Sequence, residues 1–163
     1  MVKAGVITVS DKGSKGQRID ESGPALKEFI ETNMDAEVSS MIIIPDEQDE
    51  IEKTLIYYAD ILKLDLVLTT GGTGFAPRDV TPEATKKILD KNVPGISEVI
   101  RASSLAITPK AMLSRGISGI RKGTLIINLP GSPKGATESI SFVIDALSHG
   151  LDILKEEANE CAR

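Results

Sequence analysis

The sequence predicts an α/β fold, a three-layer α/β/α sandwich built on a mostly parallel mixed sheet with a late β-hairpin. Short runs rich in β-branched residues alternate with segments whose apolar residues recur at helical spacing, the pattern of parallel strands joined by right-handed helical crossovers. Each early strand-like run ends in a loop bearing glycine, proline or acid just ahead of the next helix signal. A chain of 163 residues that is 40% hydrophobic is also long and apolar enough to bury a core without disulfides.

Val2–Val9 (VKAGVITV) is short and β-branched and reads as a buried strand. Residues 10–19 form a loop carrying glycine and lysine. Helix signals follow near Asp20 or Ser22, with Pro24 suited to an early helical position and Leu26, Phe29 and Ile30 as the apolar stripe. Residues 37–44 make a second strand. Pro45-Asp46-Glu47-Gln48-Asp49 starts the next helix, with Asp46 placed to cap its free amides and acidic residues suited to the dipole. Ile51, Leu55, Tyr58, Ala59 and Leu62 continue that helix. Residues 64–70 form the third strand and run directly into Gly71-Gly72-Thr73-Gly74.

Thr81-Pro82 opens another helix, Thr81 as cap and Pro82 at the first helical position, and Pro94-Gly95 breaks it. A further helical segment covers 96–107. Two β-like runs within 117–129 flank Lys122-Gly123 as a hairpin. Residues 130–133 are a turn, and a long final helix from about Gly135 keeps Ile140, Val143, Ile144, Leu147, Leu151 and Leu154 in period. Residues 156–163 read as a fraying tail. With no linker, repeat or low-complexity stretch, the expectation is one domain over residues 1–163.

Composition narrows the chemistry. The one cysteine, Cys161, can form no internal disulfide and lacks partners for a structural zinc site. The one histidine, His149, falls within an amphipathic segment, so a serine or cysteine relay through imidazole is disfavoured. Any catalysis therefore rests on carboxylates, hydroxyls, backbone amides and a bound metal. A net charge of -5 and an aromatic share of 3% argue against nucleic-acid binding. No apolar run approaches the roughly 20 residues of a membrane helix, and residues 2–9 make a poor signal peptide; the expected location is cytoplasmic. Cationic residues gather in loops (Lys12, Lys15 and Arg18; Arg78; Arg115, Arg121, Lys122 and Lys134), a distribution that suits a small anionic ligand.

In an open α/β sheet, ligands bind beyond the carboxyl ends of the strands. Four loops leave such ends, at Ser10, Asp46, Gly71 and Pro130. The Gly71 loop is the most informative, because glycines let amides approach phosphate oxygens closely. It is neither a P-loop nor a dinucleotide fingerprint, since no Gly-Lys-Ser/Thr follows and Pro77 holds the third glycine position. On the glycines alone, a tight turn with no ligand stays open.

Residues 69–83 (TTGGTGFAPRDVTPE) closely resemble the signature of the molybdopterin adenylyltransferases, the MogA/MoaB family. Thr8-Val9-Ser10-Asp11, Ile44-Pro45-Asp46-Glu47, Ser114-Arg115 and Asn128-Leu129-Pro130-Gly131-Ser132-Pro133 match further family motifs in order. The resemblance implies an α/β/α sandwich assembled as a homotrimer. It implies transfer of AMP from Mg-ATP to the terminal phosphate of molybdopterin with release of pyrophosphate, and the molybdenum insertase as a candidate partner. By resemblance, Asp46 and Asp79 are the catalytic pair and Mg²⁺ ligands. Ser10, Asp11, Gly71, Gly72, Thr73 and Gly74 would hold nucleotide or pterin with Ser114, Arg115, Pro130, Gly131, Ser132 and Pro133. Helix capping is the structural alternative for Asp46; Asp79 has none as clear, with Thr81 as the cap. Two other functions fit this fold: a molybdopterin-binding or scaffold protein without catalysis, and a CinA-like nucleotide pyrophosphate hydrolase. The second relative carries paired aspartates where this chain has Arg78-Asp79.

Overall fold

The computed structural model describes the backbone of residues 1–161 and the side chains of residues 1–156. Six strands form one sheet: β1 (Val2–Val9), β2 (Ala36–Ile44), β3 (Leu66–Thr70), β4 (Lys91–Asn92), β5 (Ser118–Arg121) and β6 (Thr124–Leu129). Their order is β2-β1-β3-β6-β5-β4. The first four are mutually parallel, whereas β5 runs antiparallel to β6 and to β4. The expected mixed sheet and hairpin are both present, the hairpin turning at Lys122 and Gly123, each with positive φ.

Period-two alternation explains why both faces are covered. Leu66 and Leu68 of β3 join a core with Leu26, Ile30, Ile127, Ile140 and Leu151, beneath α2 (Ser22–Asn33), α5 (Pro94–Ser104), α6 (Pro133–Ser141) and α7 (Ile144–Cys161). Val67, between them, faces the opposite core with Ile7, Ile51, Leu55 and Ile126, beneath α3 (Gln48–Ile56) and α4 (Thr81–Ile88). The chain is thus an α/β/α sandwich.

Several elements depart from the sequence expectation. The loop after β1 contains a short helix, α1 (Asp11–Ser14), capped by Ser10, whose hydroxyl accepts from the Gly13 amide. Asp20 caps α2 by accepting from the Ser22 and Gly23 amides. Asp46 does not cap α3: the flanking residue is Glu47, which makes no side-chain cap bond, and the Asp46 carboxylate turns back toward α1. Thr81 is not a cap either. It is the first residue of α4, and its hydroxyl donates to the Gly71 carbonyl at 3.0 Å. α3 ends in a π-helical turn, Tyr57–Ile61. α5 begins at Pro94 rather than after it, and a 3-10 helix, Pro109–Leu113, follows. The long final helix is two, α6 and α7, separated at Phe142 and Val143. Helix α7 continues through Cys161, so that part of the expected tail is helical; the remainder lies outside the described residues.

Candidate active site at the carboxyl end of the parallel strands

All four loops singled out in the sequence meet above β2, β1, β3 and β6. The Ser10 amide donates to the Ile44 carbonyl (2.8 Å), and the Gly71 amide to that of Leu129 (3.2 Å). The Thr70 hydroxyl donates to the Pro130 carbonyl (2.7 Å), and that of Ser22 to Gly131 (2.7 Å). Gly71 and Gly72 carry φ values of 102° and 69°, backbone that a β-carbon disfavours. A β-carbon on Gly71 would also collide with the Val9 carbonyl oxygen. The path lets the Gly71 carbonyl accept from Thr81 while the amides of Gly72, Thr73, Gly74 and Phe75 donate to no acceptor among the described residues. Successive amides left without protein acceptors are the groups from which anion-binding concavities are built.

Asp11 and Asp46 clasp each other's main chain. The Asp11 amide donates to Asp46 Oδ2 (2.9 Å), and the Asp46 amide to Asp11 Oδ1 (3.1 Å). Burial is the main cause holding the half-buried Asp46 carboxyl above the usual range, and the negative charges of Asp11 and Asp79 add to it. The Arg78 guanidinium beside Asp11 holds that carboxyl below its usual range. Asp79 stands in the glycine loop, its Oδ2 accepting from the Ala76 amide (3.1 Å) while its own amide donates to the Ala76 carbonyl (2.9 Å). It therefore has a structural role after all, closing the turn that carries Arg78.

Arg115 braces the same loop from the other side. Its amide donates to the Thr73 carbonyl (2.9 Å) and its guanidinium to the Gly74 and Asp79 carbonyls (2.8 Å each) and both Glu83 oxygens. Every guanidinium nitrogen thus has a protein partner. Ser114, by contrast, lines a cavity of 450 Å³ with Thr73, Gly74, Phe75, Pro130 and Ser132. A second cavity, of 400 Å³, is lined by Ser10, Arg18, Asp20, Thr70, Gly131, Ser132 and Pro133 among others. Ser132 belongs to both and also caps α6, accepting from the Gly135 amide. Neither Asp46 nor Asp79 lines either cavity, although Thr73, Gly74 and Phe75 of the loop that carries Asp79 line the first. A larger cavity, of 630 Å³, lies among α5, β5 and α7 with an almost wholly apolar lining and no carboxylate, so it offers nothing to the chemistry.

Sequence reasoning passed over Glu47 and Glu83, which anchor the two arginines, and Asp20, whose Oδ2 accepts from the Thr8 hydroxyl (2.8 Å) while Oδ1 caps α2. It also passed over the buried Asn128 side chain, which ties Thr69, Thr85 and the Ile117 amide together across the sheet. For Glu83 the available signal was its place close after Arg78 and Asp79 at the end of the glycine loop.

A glycine loop with unpaired amides and acidic neighbours at the carboxyl end of a parallel sheet is the arrangement of nucleotide- and phosphoester-handling α/β proteins. The chain belongs to the family described as the probable molybdopterin binding domain, whose model matches residues 5–149. It is 46% identical over 154 residues to the molybdopterin adenylyltransferase of Helicobacter pylori (strain J99 / ATCC 700824), covering 94% of this chain and 88% of that protein. Among solved structures it is similar to the molybdopterin biosynthesis enzyme MoaB from Thermus thermophilus, with a TM-score of 0.89 and 49% identity over 94% of this chain and 96% of that one. The CinA protein of Thermoplasma acidophilum shares the fold at 21% identity, with a TM-score of 0.66 over 88% of this chain and 96% of that one.

Proposed function

We propose that this chain is a molybdopterin adenylyltransferase, a nucleotidyltransferase of molybdenum cofactor biosynthesis that transfers AMP from ATP to molybdopterin. The observation that carries the reading is the run of unpaired Gly72–Phe75 amides above the strand ends, in a loop whose Gly72 lies against the Asp46 carboxylate, a β-carbon there coming within 3.2 Å of Oδ1. In the reaction a terminal phosphate oxygen of molybdopterin attacks the α-phosphorus of ATP, and the bond to the β-phosphate breaks as pyrophosphate leaves. Two polyanions must meet, so the site has to offset negative charge as it builds. The glycine-loop amides do so without cost of reorganisation, since Arg115 and Thr81 already hold the loop in place. The hydroxyl-lined cavities beside Ser10, Ser114 and Ser132 supply donors that position the two substrates.

The residues present fit Mg²⁺. Asp46 is a half-buried carboxylate whose ionised form is disfavoured by burial and by Asp11 and Asp79, and a divalent cation would relieve all three. Mg²⁺ takes one or two carboxylates and completes its shell with phosphate oxygens and water, a demand that two carboxylates can meet. Asp46 and Asp79 would hold it, and when bound it neutralises phosphate charge. No helix among the described residues is long and apolar enough to cross a membrane. The proposal includes a cytoplasmic homotrimer whose product passes to the molybdenum insertase.

The test is pyrophosphate release from Mg-ATP and molybdopterin by the wild type and by Asp79→Asn. Asparagine keeps an oxygen to accept from the Ala76 amide, so the turn is preserved while the charge is lost. The expected result is near-complete loss of transfer with pterin binding retained. Near-normal turnover by the variant removes Asp79 from catalysis, and wild-type pterin binding without pyrophosphate release marks a binding protein instead. Sedimentation tests the trimer.

A further inference from the structure

Two arginines hold the glycine loop, and they are held very differently. Arg115 is bonded to two main-chain carbonyls and to Glu83, partners fixed by the fold. Among the described residues the Arg78 guanidinium donates only to carboxylates: its Nε donates to Asp11 Oδ2 (2.7 Å), and its Nη2 to Asp11 Oδ1 (3.1 Å) and Glu47 Oε1 (2.7 Å). Its side chain is 55% exposed and that of Glu47 56%. Residues 75–78 are all exposed at the tip of the loop. Ion pairs this exposed contribute little, because water competes for both partners, whereas a guanidinium gripping phosphate bidentately makes charge-assisted bonds of matched geometry.

Location makes that difference consequential. The carboxylates around Arg78 are Asp11 and Glu47, with Asp46 joined to Asp11 through the main chain and Asp79 next in sequence. The nearby cations are Arg78 itself and Lys15, which acts on Asp11 through its charge. A polyphosphate entering over the glycine-loop amides meets this acidic rim, and the guanidinium within it, that of Arg78, is already bonded to two of the carboxylates. We propose that Arg78 is an exchangeable phosphate ligand, held by Asp11 and Glu47 in the free chain and handed to the pyrophosphate end of the nucleotide when it binds. The inference rests on the adenylyltransferase reading and adds a residue and a step to it: Glu47 competes with the substrate for Arg78, so it limits affinity for the leaving group rather than supporting it.

The experiment measures binding of inorganic pyrophosphate with Mg²⁺ by calorimetry to the full chain. The proteins are wild type, Arg78→Ala, Arg78→Lys, Glu47→Gln and the double variant Glu47→Gln/Arg78→Ala, each checked by thermal melting. Arg78→Ala is expected to weaken binding by about tenfold or more, the scale of one charge-assisted contact, and Arg78→Lys to recover only part of it. Glu47→Gln is expected to tighten binding by about two- to fivefold, the scale of an exposed ion pair released. In the Arg78→Ala background the same change should do nothing, because its effect runs through Arg78. Exchange is overturned if Arg78→Ala leaves binding unchanged or if both single variants weaken it, the mark of a brace. It is equally overturned if Glu47→Gln tightens binding in the double variant as much as alone, the mark of a general field. Pyrophosphate release by the wild type, assayed in parallel, separates the two readings. Its absence sinks the catalytic assignment; its presence with any of the overturning patterns sinks only the exchange.

Discussion

Replacing Gly71 by alanine tests whether the glycine loop is fixed by the sheet beneath it or merely tolerated there. Two costs add at this position. The backbone has φ 102°, and positive φ costs a residue with a β-carbon about 1–2 kcal/mol. The new methyl would also run into the Val9 carbonyl oxygen, a main-chain atom of β1 that cannot rotate aside, and overpacking of this kind costs about 1–3 kcal/mol. The sum, about 2–5 kcal/mol, lowers Tm by about 4–20 °C for a chain of this size. Two further substitutions separate the terms. At Gly16, φ is 70° but the methyl meets nothing within 4 Å, so alanine should cost only the conformational part, about 1–2 kcal/mol. At Gly95, near the start of α5 with open space around it, alanine should stabilise by about 0.4–1 kcal/mol. Thermal melting of the three variants is the assay. A Gly71→Ala protein that melts with Gly16→Ala, rather than clearly below it, refutes the collision with β1.

Asp46→Asn should raise stability at neutral pH while abolishing transfer. A carboxyl whose folded pKa is raised stabilises the fold below its unfolded pKa and loses that contribution as pH rises through the folded value. The variant's advantage in Tm should therefore be present near pH 7 and vanish in acid, and an advantage that grows on acidification contradicts the assignment. Asn128→Leu should cost about 2–4 kcal/mol, because it strips buried partners from Thr69, Thr85 and the Ile117 amide. Urea unfolding should show a lower midpoint at unchanged slope; an unchanged midpoint means the network is dispensable.

Much of the fold was legible because its signals are local and repeated. Strand runs such as Leu66–Thr70 and stripes such as Ile51 and Leu55 each report one neighbouring layer, and layers assemble in few ways. Caps were read less well for a physical reason. Asp46 and Thr81 have the right side chains at the right offset, but each found a partner elsewhere, Asp46 in the Asp11 amide of a neighbouring loop and Thr81 in the Gly71 carbonyl at the start of its own. The break at Phe142 and Val143 left no trace in the periodicity because α6 and α7 bury residues in the same core, Ile140 before the break and Leu147 after it. The two-residue β4 is too short to carry any pattern. At the site, the sequence pointed to the loops that converge, but it could not tell an arginine committed to carbonyls, Arg115, from one resting on carboxylates, Arg78. That distinction depends on which distant atoms lie within hydrogen-bonding reach.

The strand order has a consequence for how the site comes into being. β3, which launches the glycine loop, lies between β1 and β6, and Thr70 pairs with Leu129 although helices α4 and α5 intervene in the chain. Pairings so remote in sequence form late, since loop-closure entropy must be overcome before any contact compensates it. The amide of Gly71 reaches its acceptor, the Leu129 carbonyl, only once β6 has docked. Helices and the β1–β2 pair can form before that moment, but the anchored glycine loop cannot. If the loop binds phosphate as proposed, ligand affinity in this chain reports completed folding: a compact, helical intermediate would be blind to phosphate.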